Sequence, residues 1–294
     1  MLAFITSLRH PQNSADYGRV EDLLRETLDS VTQQKSEEFV VIIVGNKRPD
    51  FDLPDRVHFV PVAFDPPAPP NGPRTERAPF VWDKGTKIGI GLIAAQEYAP
   101  DYVMIFDADD FVHADLAEYV AARPGQPGWV VERGWIYSRL RNAYRPQNDF
   151  NRTCGTCHIL PFDAYDVPPD LDVAATQEQL AEGFGERLEA MLGAHRHAVA
   201  WHAERGRILE PLPMRAAVYH VDTGENHSGK AMSGLARPLD RGLRESFRIA
   251  PQRGPVSTVW SSVGPVAIWE SAYTGSRLTV RRLGRAVKRS LRRL

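Results

Sequence analysis

The stretch "VMIFDADDF", Val103 to Phe111, decides more about this chain than any other. Four apolar residues in a row predict a strand buried on both faces, and the run breaks at once into Asp107-Ala108-Asp109-Asp110. In open parallel sheets a ligand lies at the carboxyl ends of the strands, so three carboxylates are placed where a ligand would sit. Like charges this close raise one another's pKa. A divalent cation removes the conflict, because Mg2+ or Mn2+ takes hard oxygen ligands and keeps positions open for phosphate oxygens.

Outward from that strand, the first half of the chain alternates strand and helix. "LAFITSL" (2–8) reads as a buried strand. A helix follows over about Arg19 to Gln34, where Val20, Leu23, Leu24, Leu28 and Val31 keep the i, i+3, i+4 rhythm. "FVVIIVGN" (39–46) is a continuous β-branched run suited to a central parallel strand, and "RVHFVPVAF" (56–64) is a third strand. "DPPAPPNGPRTERAP" (65–79) is too rich in proline and glycine for regular structure and reads as a long surface loop. "WDKGTKIGIGLIAAQEYA" (82–99) predicts a helix with glycines along one side, leading into the strand at 101–111. Such alternation implies a parallel sheet with right-handed crossovers.

The second half is mixed. "GWVVERGWIYSRL" (128–140) reads as a strand pair or one bent strand, and "CGTCHILPF" (154–162) as another strand. Helices are expected over about Thr176 to Leu192 and His195 to Arg205, with "RILEPLPMRAAVYHV" returning as extended chain.

The 294 residues are 43% hydrophobic and 25% charged, with net charge -1, which suits a globular protein. No window is apolar enough to span a bilayer, and "MLAFITSLRHPQNS" has neither the basic leader nor the cleavage site of a signal peptide. A cytoplasmic protein is expected, with no nucleic-acid partner. Charge is uneven, however. "SRLTVRRLGRAVKRSLRRL" (276–294) holds eight basic residues and no acidic one, which leaves 28 basic against 37 acidic in the rest, a body near -9. Leucines and valines at helical spacing among the arginines predict a basic amphipathic tail, suited to peripheral contact with the inner face of a membrane.

The only two cysteines sit in Cys154-Gly155-Thr156-Cys157-His158, the C-x-x-C-H spacing of covalent haem attachment. Haem is disfavoured by the expected cytoplasmic setting and by the strands around the motif. On a strand, Cys154 and Cys157 face opposite sides, unsuited to a shared metal or a relaxed disulfide. The segment is expected to form a wall of the acceptor pocket, where Gly155 and Thr156 let a sugar approach and His158 bonds it.

The order of these pieces, "TLDSVTQQ" after the first strand, "IVGN" ending the second, and "DKGTKIGIGLIAA" directly before "DADD", resembles the nucleotide-sugar-binding half of GT-A glycosyltransferases, family 2 type. The resemblance covers residues 2 to 115 well and extends more loosely to about 230. It implies a three-layer α/β/α fold with a mixed, mostly parallel central sheet. It divides the chain into a GT-A domain (nucleotide-sugar half 1–115, acceptor half 116–230) and a C-terminal extension, 231–294. It also implies transfer of a sugar, with inversion, from a nucleotide diphosphate sugar, most simply a UDP-sugar, to a hydroxyl of a glycan or lipid-linked acceptor, with Mn2+ or Mg2+ as cofactor.

Residue by residue, the nucleoside falls to Thr6, Ser7, Leu8, Arg9 and Asn46, where Asn46 departs from the family's usual aspartate. Base and diphosphate fall to Asp83, Lys84 and Lys87, ribose and metal to Asp107, and the metal directly to Asp109. A C-terminal histidine often completes the metal shell, and both His220 and His227 stand at the expected distance. Family members carry a Glu-Asp pair as catalytic base. Here Gly193-Ala194-His195 stands in its place, so His195 is one candidate base, with Asp163, Asp166 or Glu186 as others reaching in from elsewhere. Two rival readings are a sugar-nucleotide nucleotidyltransferase, although "SLRHPQNS" lacks the glycine-rich loop of that class, and a non-catalytic nucleotide-sugar-binding module.

Overall fold

The computed structural model describes residues 1–68, 78–225 and 229–273. Its strands are β1 (Leu2–Ser7), β2 (Phe39–Gly45), β3 (Val57–Pro61), β4 (Tyr102–Ile105), β5 (Phe111–Val112), β6 (Trp129–Val130), β7 (Arg133–Ser138), β8 (Ala143–Asn148), β9 (His158–Pro161), β10 (Glu210–Pro211), β11 (Ala217–Val221) and β12 (Arg237–Pro238). The α-helices are α1 (Tyr17–Val31), α2 (Ala78–Ala95), α3 (Leu116–Ala121), α4 (Gln177–Phe184), α5 (Ala198–Glu204), α6 (Arg241–Phe247) and α7 (Pro255–Val263).

Seven strands form the main sheet in the order β10-β6-β9-β4-β1-β2-β3. β1, β2, β3 and β4 run parallel, whereas β9 is antiparallel to both β4 and β6. β2 is buried along its whole length, as its unbroken β-branched run predicts. The chain therefore goes outward from β1 to β3 and returns to place β4 on the other side of β1. That reversal opens a crevice between the carboxyl ends of β1 and β4.

Right-handed crossovers put the two connecting helices on opposite faces. α1 is capped by the Asp16 side chain and turns Leu24, Leu28 and Val31 onto one face, where they meet Phe4, Val41 and Met104. α2 covers the other face with Ile88, Leu92 and Ile93, backed by Leu180, Phe184 and Leu188. The result is the expected three-layer α/β/α arrangement with a mixed, mostly parallel sheet.

The glycines of α2 are not on one side. Gly85 and Gly89 lie under Leu188 and Phe184, while Gly91 turns to the sheet, where an added Cβ would stand 2.5 Å from Ile5 Cγ2. α2 begins at Ala78, inside the expected loop, and residues 69–77 of that loop lie outside the described residues.

"GWVVERGWIYS" proves to be two strands in two sheets. β6 belongs to the main sheet, and a bend at Val131-Glu132 carries the chain into β7 of a second sheet, ordered β12-β8-β7-β11-β5. This second sheet includes residues on both sides of position 230. β12 pairs with β8, and Leu243, Phe247 and Ile249 share a core with Phe111, Tyr137 and Val218. The described part of the C-terminal extension is thus knit into the same body. The basic tail lies outside the described residues.

In an exposed helix, exchanging glycine for alanine stabilises by up to about 1 kcal/mol. At Gly91 the overlap with Ile5 reverses the sign. Gly91→Ala is expected to destabilise by about 1–3 kcal/mol, whereas Gly242→Ala, in the exposed first turn of α6, is expected to be neutral or slightly stabilising. Thermal unfolding of both variants checks the contrast.

Candidate active site

The three carboxylates after β4 have three different surroundings. Phe106 extends the β1 ladder by donating its N–H to the Ile5 carbonyl at 3.0 Å, and the Asp110 N–H closes a turn on the Asp107 carbonyl at 3.0 Å. Asp110 is fully buried. One of its oxygens accepts from the Thr156 hydroxyl at 2.5 Å and from the Cys154 thiol at 2.8 Å, and the other accepts from the His220 backbone N–H at 3.1 Å. Burial, then Asp109 and Asp107, hold its pKa well above the usual carboxylate range.

Asp107 faces the crevice. Its Oδ1 accepts from the Lys84 ammonium and its Oδ2 from the Gly155 N–H at 3.3 Å. Burial opposes its ionisation, but Lys84 and the neighbouring His195 outweigh burial, so its pKa falls below the ordinary value. Asp109, half-buried, is pushed up to about 7 by burial and by the Asp107 charge, against the opposing pull of Arg9 and Lys84.

The Cys-Gly-Thr-Cys segment is not a strand. β9 starts only at His158, and residues 154–157 form a tight turn wrapped around the aspartates. The Thr156 hydroxyl accepts from the Asp107 N–H at 3.0 Å while donating to Asp110, so one side chain ties both ends of the acidic turn. Gly155 passes so close that an added Cβ would stand 2.8 Å from Asp107 Oδ2, which explains glycine there. Both cysteines are buried and free, and burial pushes both thiols up, so they are protonated. Their sulfurs have different partners, Cys154 on Asp110 and Cys157 at 3.2 Å from His158 Nδ1. The segment is a clamp on the acidic turn rather than the expected pocket wall, and only His158 and Gly155 reach a cavity, shared with Lys84 and His195.

The remaining predicted residues separate into those that converge on the crevice and those that do not. Lys87 is fully buried and donates to Asp83 Oδ2 at 2.8 Å and to the Leu8 carbonyl at 3.0 Å, bracing the loop after β1 from beneath. Leu8 contributes that carbonyl while its side chain lies in the core. Three buried oxygens, Thr6 Oγ1, Asn46 Oδ1 and Asp83 Oδ1, have no hydrogen-bond partner among the described residues. Buried polar atoms are normally paired, so these acceptors are suited to a ligand's donors. Arg9 is engaged by Glu225, at 2.5 Å from Oε2 and also through the Glu225 carbonyl, which fastens the segment after β11 to the loop after β1.

His195 stands beside Lys84 and Asp107, its Nε2 buried without a partner among the described residues; burial lowers its pKa to about 4 despite Asp107, so the ring is neutral. His220 is fully buried, with its ring between Phe111 and Tyr137 (centroids 5.0 and 5.3 Å) and its Nδ1 at 3.1 Å from the Asp109 carbonyl. Burial, reinforced by Arg139, lowers its pKa to about 3. His227 lies outside the described residues.

Asp163 requires a correction. β9 runs antiparallel to β4, with His158 opposite Ile105 and Pro161 opposite Tyr102, so the residues after Pro161 emerge at the amino end of β4. Asp163 is exposed there and pairs with Arg207 at 3.4 Å, at the opposite end of the strand from Asp107. Asp166 and Glu186 are likewise exposed and pair with Arg187 and Arg205. His202 is buried on α5. Sequence reasoning missed Glu225 altogether and missed the role of Thr156 and Cys154 as donors to the acidic turn, because these groups hold the site from chain segments remote in sequence.

Among the described residues, one set of donor atoms lies close enough to share a metal: Asp107, Asp110 and Cys154, all within 4.8 Å of one another. No protein-family model matches the chain, and no curated protein matches it. Partial likenesses occur among solved structures. S. aureus TarS 1-349 in complex with UDP aligns at 13% identity over 75% of this chain and 61% of that one, with a TM-score of 0.41. S. aureus TarS aligns at 14% identity over 75% of this chain and 36% of that one, TM-score 0.39. The galactosyltransferase LgtC in complex with donor and acceptor sugar analogs aligns at 10% identity over 90% of this chain and 84% of that one, TM-score 0.32. This chain thus spans less than two thirds of either TarS chain, and no residue role is transferred from any of the three.

Removing the Asp110 carboxylate would strand the Thr156 hydroxyl, the Cys154 thiol and the His220 amide inside the protein. Asp110→Ala is expected to cost about 3 kcal/mol or more, while Asp109→Ala, at the crevice surface, changes stability little. Chemical denaturation of the two variants checks this; equal midpoints would refute the clamp.

Proposed function

We propose that this protein is a GT-A-fold glycosyltransferase that moves a sugar from a nucleotide diphosphate sugar to an acceptor hydroxyl, with inversion, in glycan or polysaccharide synthesis. The observation that carries this reading is the convergence of Asp107, Asp109 and Lys84 at the carboxyl end of β4, where the strand order reverses and ligands of open α/β sheets bind.

The donor set suits a hard divalent cation. Asp110 is consumed by its three internal donors and the Cys154 thiol is protonated, which leaves Asp107 and Asp109 as the carboxylates to hold Mn2+ or Mg2+. The rise of the Asp109 pKa to about 7 is the unrelieved crowding that a cation offsets. When bound, the ion would supply charge neutralisation on the diphosphate leaving group.

The chain's own groups do the rest. Lys84, held against Asp107, presents a cation beside the same diphosphate position. Thr6, Asn46 and Asp83 offer buried acceptors for the hydroxyls and N–H groups of a nucleoside, and uracil fits as a base that both donates and accepts. Lys87 holds Asp83 and the Leu8 carbonyl in place for that contact. His195 is a neutral ring with an open Nε2 next to the aspartates, the form a base needs to take a proton from an acceptor hydroxyl. His220 packs behind Asp109, and its contact with that carbonyl fixes the backbone from which the Asp109 carboxylate projects.

No helix among the described residues is long and apolar enough to cross a membrane. The basic run from Ser276 supports a peripheral contact with a membrane that carries a lipid-linked acceptor.

Isothermal titration of UDP, GDP and dTDP with and without Mn2+ tests the donor site. Metal-dependent binding, strongest for UDP, is expected; no metal-dependent binding of any of the three would overturn the reading. A nucleotide that binds without donor turnover would instead favour a binding module. Where turnover occurs, donor hydrolysis by Asp109→Ala is expected to fall by about 100-fold or more, and an unchanged rate would remove Asp109 from the mechanism.

A further inference from the structure

Helix α7 is built inside out. A surface helix normally turns an apolar stripe to the core and polar residues to water. Here the buried positions are Thr258 and Ser262, and the exposed ones include Val256, Val259, Trp260 and Val263. The inner face is polar because it answers polar groups of the second sheet. Asn142 donates to the Thr258 hydroxyl at 2.9 Å, the Arg141 guanidinium donates to the Ser261 carbonyl at 2.7 Å, and the Ser261 hydroxyl returns a bond to the Arg141 carbonyl at 2.6 Å. This docking leaves the apolar side without cover. Val256 is 85% exposed and Trp260 68%, and the helical residues 265–273 that follow Gly264 also expose Val266 and Trp269, the latter 65% exposed.

Exposed apolar side chains gathered in one stretch of chain point to a site of association. Its chemistry selects the associate. Tryptophan prefers the boundary between hydrocarbon and headgroups, where its ring is apolar and its N–H stays hydrated. Among residues 255–269 there is no charged side chain at all. Four residues after Trp269 comes Tyr273, and from Ser276 the sequence adds eight basic residues without an acidic one. The remainder of the chain is near -9, so an anionic surface repels the body and attracts only this end. Apolar insertion and cationic attraction thus occur side by side in one stretch of sequence, and together they suffice for stable anchoring where either alone is marginal.

We propose that the outer face of α7 and of residues 265–273 is a membrane-docking surface that inserts Trp260 and Trp269 into the interface of an anionic bilayer while the adjoining basic sequence binds the lipid headgroups. This extends the peripheral contact of the proposed function from the tail to a folded helix face, and it stands independently of the transfer chemistry, because docking is measured without any donor.

The test is sedimentation of the full chain with vesicles of phosphatidylcholine, with and without phosphatidylserine. Pelleting with the anionic vesicles at low salt is expected, weakened in high salt, and accompanied by quenching of native tryptophan fluorescence by lipids brominated in their acyl chains. In the full-length double variant Trp260→Ser/Trp269→Ser, partition should fall at least about tenfold and the quenching should disappear, with thermal unfolding unchanged because both side chains are exposed. No pelleting of the parent chain would overturn the proposal. So would parent-level pelleting and no acyl-chain quenching, which would assign binding to the basic tail alone. A concentration-dependent dimer, abolished by the double variant in the absence of vesicle binding, would give the face to a second copy and equally overturn it.

Discussion

Three carboxylates at the end of one buried strand cannot all be charged and close together unless something separates their fates. That constraint organises the centre of this protein. Asp107 receives a cation, the Lys84 ammonium from α2, and stays ionised. Asp110 is withdrawn into the interior and given three donors from two distant segments. Asp109 is left at the crevice with a pKa pushed up to about 7, the one carboxylate whose charge is still unsettled. The asymmetry gives the acidic turn a structural arm and a chemical arm from residues of one type.

Holding that arrangement shapes the surrounding chain. β9 must run antiparallel beside β4 so that its leading turn, Gly155 and Thr156 above all, arrives at the carboxyl end of β4. β11 must pass on the other side to deliver the His220 amide to Asp110 and the His220 ring behind Asp109. β11 belongs to the second sheet, so the acidic turn is gripped from the main sheet by β9 and from the second sheet by β11. Glu225, just beyond β11, then closes the circuit by engaging Arg9 on the loop after β1.

The same logic of satisfying polar groups explains the C-terminal helices. The turn between β7 and β8 carries Arg141 and Asn142, whose donors must be met when that edge of the second sheet is covered. The Thr258 hydroxyl and the Ser261 and Ser262 carbonyls meet them, and the helix that supplies those acceptors shows its valines and tryptophan to the outside. A hydrogen-bonding demand at an inner surface thereby produces an apolar outer one.

Local patterns in the sequence were enough for the parallel core. The unbroken β-branched run at 39–46, the helical rhythm from Val20 to Val31 and the apolar strand ending in "DADD" each report burial through neighbours a few residues away, and a buried strand or an amphipathic helix needs no more. The family resemblance, not periodicity, is what groups Lys84 and His195 with Asp107 and Asp109, and in the fold Lys84 is paired with Asp107. What local patterns could not report is the partner across the sheet. The direction of β9 sends Asp163 to the wrong end for chemistry and turns Cys154-Gly155-Thr156-Cys157 into a clamp; both outcomes depend on a strand pairing between residues some fifty positions apart. The inverted face of α7 is equally invisible, because nothing in its own sequence reports the Arg141 and Asn142 groups that its inner face meets. Periodicity tells which residues want burial or charge compensation. Which groups compensate them is settled only when remote segments meet, since a hydrogen bond is made across space and leaves no period in the chain.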